Sequence, residues 1–142
     1  MAPPNTALHR RGFTLAEVAV ACALVGVMAS LAVPAMREQR RAAGRSDAVD
    51  GLTRVQIEQA RHFDLHGLYA SHLDALRGAR SSRSPQGAYA ITLDRGTAEA
   101  YTATATPVPT GPQAGDAACP ALTLRVREGF AEFGPNARCW GR

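Results

Sequence analysis

The sequence predicts an α+β fold, a long N-terminal helix whose second half packs on a small antiparallel sheet, and three observations carry that expectation. Residues Phe13 to Met36 form a 24-residue apolar run broken by one charge, Glu17. Residues 37–66 contain no proline and place their apolar side chains on one helical stripe. Beyond residue 87, alternating and β-branched stretches are separated by turns rich in Gly and Pro.

The chain of 142 residues is long enough for one core and too short for two full-sized domains. All 16 basic residues are Arg, set against 12 acids, so the net charge of +4 is mild and names no partner by itself.

As a helix, Phe13 to Met36 spans about 36 Å, enough to cross a bilayer. Residues 1–36 are open to three readings: a secretory signal with Val33-Pro34-Ala35 as its cleavage site, a lipoprotein signal with Cys22 after Ala19-Val20-Ala21, or a retained membrane helix behind a short leader. Glu17 decides between them. A carboxylate in a spanning helix costs on the order of 2–3 kcal/mol or more and needs a partner. The run holds no cation, so the partner comes from another molecule or from an amine made by cutting the chain. A cut after Gly12 creates such an amine at Phe13, four residues from Glu17.

The stretch Arg10-Arg11-Gly12-Phe13-Thr14-Leu15-Ala16-Glu17-Val18 resembles the prepilin processing site of type IV pilins and type II secretion pseudopilins. That site has a short basic leader ending in Gly, an aromatic residue, Thr-Leu, and Glu as fifth residue of the mature chain. Gly26 and Pro34 fall where pilins commonly carry them, while Ala16 and Ala19 are smaller than the aliphatic residues usual in the family. The resemblance implies a leader over residues 1–12, cleaved by a prepilin peptidase between Gly12 and Phe13 with methylation of the new amine. It implies a membrane and filament-core helix over 13–36, in which Glu17 neutralises the Phe13 ammonium of a neighbouring subunit. It also implies that Pro34 bends the helix, and that the Gly26 to Pro34 stretch can melt during assembly, in keeping with the poor helix propensity of both residue types. Arginines flank the span on both sides, so the resemblance rather than the charge rule places the C-terminal part outside.

Residues 37–66 continue the helix as an amphipathic segment. Ala48, Val49, Leu52, Val55 and Phe63 share a stripe that also holds Gln56 and Gln59, whereas Ile57 projects off it. Gly44 and Gly51 mark places where the helix is weak. The helix is expected to stop near Gly67, where Phe63 to Tyr69 resembles the helix exit of type IV pilins. An αβ loop follows over 67–87, with a short helical turn at Leu73 to Leu76 and a solvated cluster of Arg77, Arg80 and Arg83.

Residues 88–142 hold the sheet and a C-terminal disulfide-bounded region. Strands are predicted at Ala88 to Asp94, Glu99 to Thr106, Ala121 to Glu128 and Phe130 to Phe133, joined as a meander because the last connection is too short for a parallel crossover. Leu122, Leu124 and Val126 alternate with Thr123, Arg125 and Arg127, one face buried and one wet. Cys119-Pro120, the Leu-Thr-Leu strand and Cys139-Trp140 together resemble the disulfide-bounded end of type IV pilins, notably minor pilins. A domain exported by this route meets an oxidising compartment. A Cys119–Cys139 bond there closes a loop of about twenty residues, worth roughly 3 kcal/mol.

Catalytic chemistry is not signalled. The sequence has no Gly-rich phosphate loop, no Gly-x-Ser-x-Gly and no Cys-x-x-Cys. His62 and His66 have metal-compatible spacing, with His72, Asp64 and Asp74 near them, but read better as solvated helix-end residues. Asp94 and Glu99 flank a turn without the further oxygen ligands a calcium site needs. Neither cofactor nor metal is expected. Removal of Arg10 and Arg11 leaves 14 Arg against 12 acids, so DNA binding needs a local patch, for which Arg77, Arg80 and Arg83 with Arg125 and Arg127 are the candidates.

The expectation is a non-enzymatic type IV pilin-like subunit, closer to a minor pilin than to the major pilin or a type II secretion pseudopilin, serving pilus assembly, adhesion, motility or DNA uptake. Its partners are other pilin subunits, a prepilin peptidase, inner-membrane lipid before assembly, and at lower weight DNA. Its locations are the inner membrane, with the C-terminal domain periplasmic, and then the extracellular pilus. A signal-anchored periplasmic binding protein is the alternative of another class.

Overall fold

A computed structural model of the chain describes residues 14–79, 81–94 and 96–141. Helix α1 runs Leu15–His66. Strands β1 (Tyr89–Asp94), β2 (Ala100–Pro107), β3 (Leu122–Arg127) and β4 (Phe130–Gly134) form one antiparallel sheet in the order β1-β2-β3-β4. Single 3-10 turns lie at Leu73–Ala75 and Ala137–Trp140. Contacts divide the chain into two compact units, one ending at Arg37 and one beginning at Glu38.

In the first unit α1 is exposed along its whole length and contains an 18-residue window with a mean hydropathy of 2.3. Thr14 caps it. The Thr14 hydroxyl accepts from Glu17 N at 3.2 Å, and the Glu17 carboxylate accepts from Thr14 N at 3.2 Å, so Thr14-Leu15-Ala16-Glu17 is a capping box. Pro34 lies inside the helix.

In the second unit the stripe is buried as expected: Ala48, Leu52, Val55 and Gln59 are inaccessible and Val49 packs against them, while Ile57 stays half exposed. Full burial of a residue such as Leu52 contributes about 1.5–3 kcal/mol. The inner sheet face supplies Tyr89, Ile91, Tyr101, Ala103, Ala105, Leu122, Leu124 and Val126. The small residues Ala103 and Ala105 stand opposite Leu124 and Leu122 in register, so large side chains interleave with small ones. Glu128 and Gly129, at φ 49° and 81°, make the two-residue β3–β4 turn that matches the strand twist.

Gly44 and Gly51, poor helix formers, are also close approaches. A Cβ on Gly44 would sit 1.6 Å from Gln113 Nε2, and one on Gly51 would sit 2.9 Å from Ile91 Cδ1. The glycines let the sheet and the loop before β3 come against the helix, and the helix runs unbroken through both. Gly96 is more constrained still, because a Cβ there would lie 2.3 Å from the Ala70 backbone. Gly96→Ala is expected to cost about 1–3 kcal/mol in a urea melt, since backbone cannot yield as a side-chain end does. An unchanged midpoint would contradict this packing.

Polar groups bind the loops to the helix. Arg45 donates from Nε and Nη2 to the two Asp116 oxygens at 2.6 and 2.8 Å, tying α1 to the segment between β2 and β3. Gln59 donates to Ala70 O and accepts from Ala70 N, both at 2.8 Å, so the glutamine in the apolar stripe holds the start of the αβ loop. The buried Asp47 carboxylate accepts from Ser84 Oγ at 2.5 Å, Gln86 N at 2.7 Å and Ala88 N at 3.1 Å. Burial, with Asp116 adding to it, pushes the Tyr89 phenol up to about 12, so it stays neutral at the heart of this cluster.

Candidate functional site

Asp47 and Gln59 fix both ends of the αβ loop, and that loop forms an edge against α1. One groove of about 260 Å³ along the edge is lined by Arg54 and Arg83 with Gly51, Gly78, Ser81 and Ser84. A second, of about 520 Å³, shares Gly78 with it and is lined by Glu58, Arg61, His62, Leu65, His66 and Arg77. Among the described residues Glu58 is the only acid lining either groove. Both its oxygens are occupied, one by Arg61 Nη1 at 2.6 Å and the other by Gly78 N at 3.1 Å. Arg83 is held at the sheet edge by a bridge to Ala90 and donates from Nη1 to Gly87 O at 3.5 Å. Among the described residues lining the edge, Arg54, Arg77 and Arg83 therefore face no unpaired carboxylate, while Arg61 is paired with Glu58.

The arginine candidates divide. Arg77 and Arg83 join this edge, and Arg80 lies outside the described residues. Arg125 and Arg127 belong to the outer sheet face, where they line a separate groove with Asp94, and the register puts Asp94, Thr102, Arg125 and Glu132 in one row. That face is mixed in charge. Arg54 and Arg61 carry no cluster signal in the sequence because they are spaced along a helix, far in sequence from the loop arginines they join. No group of three or more metal-ligating side chains occurs among the described residues, so Asp94 and Glu99 gather no further ligands. His62 and His66 stack with ring centroids 4.3 Å apart.

Of the N-terminal candidates, Gly12 and Phe13 lie outside the described residues. Glu17 sits exposed in the first turn, with the Thr14 capping bonds as its local contacts. Gly26 has open space around it, and a Cβ there would meet nothing within 4 Å. Cys119 and Cys139 form a disulfide with both residues buried. Beside it, Trp140 donates from Nε1 to Gly134 O at 2.8 Å and meets Phe133 edge to face.

Comparison with known families adds the identity this geometry lacks. The family described as type IV minor pilin ComP, DNA uptake sequence receptor, matches residues 34–123, more than half of the chain and including the whole αβ loop. The prokaryotic N-terminal methylation motif matches residues 8–33. No curated protein matches the chain. The prepilin-type N-terminus and apolar helix fit an inner-membrane-anchored pilin, and the two matches indicate a structural subunit that is processed and assembles with other pilins. The chain belongs to the type IV minor pilin ComP, DNA uptake sequence receptor, family.

Proposed function

We propose that this minor pilin is a DNA receptor, and that double-stranded DNA lies along the αβ-loop edge. The observation that carries the reading is the arginine set Arg54, Arg61, Arg77 and Arg83 around grooves whose only lining acid among the described residues, Glu58, is bonded to Arg61 and Gly78. Guanidinium groups held by a loop and a helix meet phosphate oxygens with charge-assisted hydrogen bonds. The family's description as a DNA uptake sequence receptor supports it.

Anisotropy of a labelled duplex, titrated with the mature chain in detergent, tests this directly. Arg54→Gln with Arg77→Gln is expected to weaken binding by about tenfold or more, from the loss of two hydrogen bonds to charged groups. Arg125→Gln with Arg127→Gln is expected to change it little. The reverse ranking would move the interface to the sheet.

On this reading cleavage falls between Gly12 and Phe13, residues 13–36 lie in inner-membrane lipid before extraction, and the C-terminal unit is periplasmic before being displayed on the pilus. Gly26 and Pro34 are where the helix loosens as it enters the filament. Glu17 then exchanges its capping bonds for the Phe13 ammonium of a neighbour, which compensates a carboxylate otherwise costly in an apolar core. Intact mass of the membrane-extracted protein should show methylated Phe13 at the N-terminus; a chain starting at Met1, Cys22 or Met36 would remove this mechanism. Glu17→Ala is expected to insert normally yet be lost from sheared filaments, and normal incorporation would refute the pairing.

A further inference from the structure

Asp47, Gly51, Arg54 and Glu58 follow the i, i+4, i+7, i+11 spacing of one helical face, and that face meets the αβ loop. An acid on a face that binds a polyanion ordinarily opposes binding. Asp47, however, is 1% exposed, and the loop engages both its oxygens. Oδ2 accepts from Ser84 Oγ at 2.5 Å and from Ala88 N at 3.1 Å, and Oδ1 accepts from Gln86 N at 2.7 Å. These donors flank Gly87, which closes a turn by donating from its N–H to Ser84 O at 2.9 Å and has a φ of 79°. Gly87 O in turn accepts from Arg83 Nη1 at 3.5 Å, and Ser84 directly follows Arg83 in the chain. Asp47 thus reaches Arg83 both through Ser84 and through the Gly87 carbonyl. Arg83 is exposed and lines the same groove as Arg54.

We propose that Asp47 is a positioning residue for DNA binding: it fixes the 84–88 turn on α1 and so holds the Arg83 guanidinium in the groove that Arg54 shares. The inference rests on the reading of this edge as the DNA interface. A guanidinium placed before the phosphate arrives loses less side-chain freedom on binding, so a fixed turn strengthens the Arg83 contact. Arg54 needs no such support, because α1 itself carries it. Charge alone gives the opposite sign, since removing a carboxylate from this face would tighten the hold on a polyanion. Asp47→Asn separates the two effects: the negative charge goes, and the amide nitrogen cannot accept from the loop donors.

The test is duplex anisotropy with the mature chain in detergent across a salt series, with urea midpoints measured alongside. Asp47→Asn is expected to weaken binding by about threefold to tenfold and to make the salt slope shallower by up to about 0.9, the share of one phosphate contact. In an Arg83→Gln background it should weaken binding no further, because it acts through that side chain. Ser84→Ala removes one donor to Asp47 and leaves every charge in place, so it should move affinity in the same direction, and it carries the test if Asp47→Asn does not fold. Cys139→Ser, which loosens the segment of β3 and β4, should lower the urea midpoint and leave the slope unchanged. Unchanged or tighter binding by a folded variant, equal weakening with and without Arg83, or a slope that Cys139→Ser lowers as much would overturn the positioning role and leave the DNA reading standing. No duplex binding by the parent at any salt would overturn both.

Discussion

Asp116→Ala is expected to cost roughly 3–5 kcal/mol, a large part of the 5–15 kcal/mol that holds a domain folded. Asp116 is buried and accepts both Arg45 bonds, so its removal leaves a guanidinium almost sealed from water with only the exposed Glu38 carboxylate, 3.1 Å away, as an ionic partner. Asp116→Leu with Arg45→Met should cost much less, because both charges go and the volume is kept. The pair also sets an acid limit. Hydrogen bonds from Arg45 hold the Asp116 carboxyl below the usual carboxylate range, against the opposing effect of burial. A group with a depressed folded-state value contributes stability above its unfolded value of about 3.9, and that stability is lost as pH falls through the folded value. Urea midpoints should fall in the parent between pH 5 and pH 2 and fall less in the double variant. Parallel pH profiles would show that this pair is not what acid breaks.

Cys139→Ser ranks next. The disulfide joins residues 20 apart in sequence and closes the segment that contains β3 and β4, so its loss should cost about 3 kcal/mol through the freedom returned to the unfolded chain. Cys139 also anchors the terminal 3-10 turn, where Asn136 Oδ1 accepts from Cys139 N at 3.1 Å. A reductant should lower the urea midpoint of the parent and leave that of the variant unchanged. Equal protease resistance of the parent with and without reductant would contradict a stabilising bond.

The legible parts of the sequence were those with a local period or a local turn. The helical stripe and the alternation Leu122, Leu124, Val126 gave elements within about a residue of those observed, because burial on one face imposes the period that the sequence records. The Thr14-x-x-Glu17 capping box is equally local in the sequence, but there Glu17 also fits a filament contact, and only the structure shows the capping bonds. Partners distant in sequence were not legible. Arg45 and Asp47 look like solvated helix residues, and Gln59 like a polar residue out of place in the apolar stripe, until Asp116, Ser84 and Ala70 are folded against them. Gly44 and Gly51 look like helix breakers for the same reason, because what they make room for is Gln113 and Ile91. The candidate interface was half visible. Arg77 and Arg83 sit in one loop, but only folding adds Arg54 and Arg61 to them and sets Arg125 and Arg127 beside acids.

The central claim, that these four edge arginines hold the DNA backbone, is tested most directly by the salt dependence of duplex affinity for the mature chain. If all four meet phosphates, log K should fall against log salt with a slope of roughly −3.6, and each Arg→Gln change at 54, 61, 77 or 83 should make the slope shallower by about 0.9. A slope near zero, or one that only changes at Arg125 and Arg127 reduce, would contradict it.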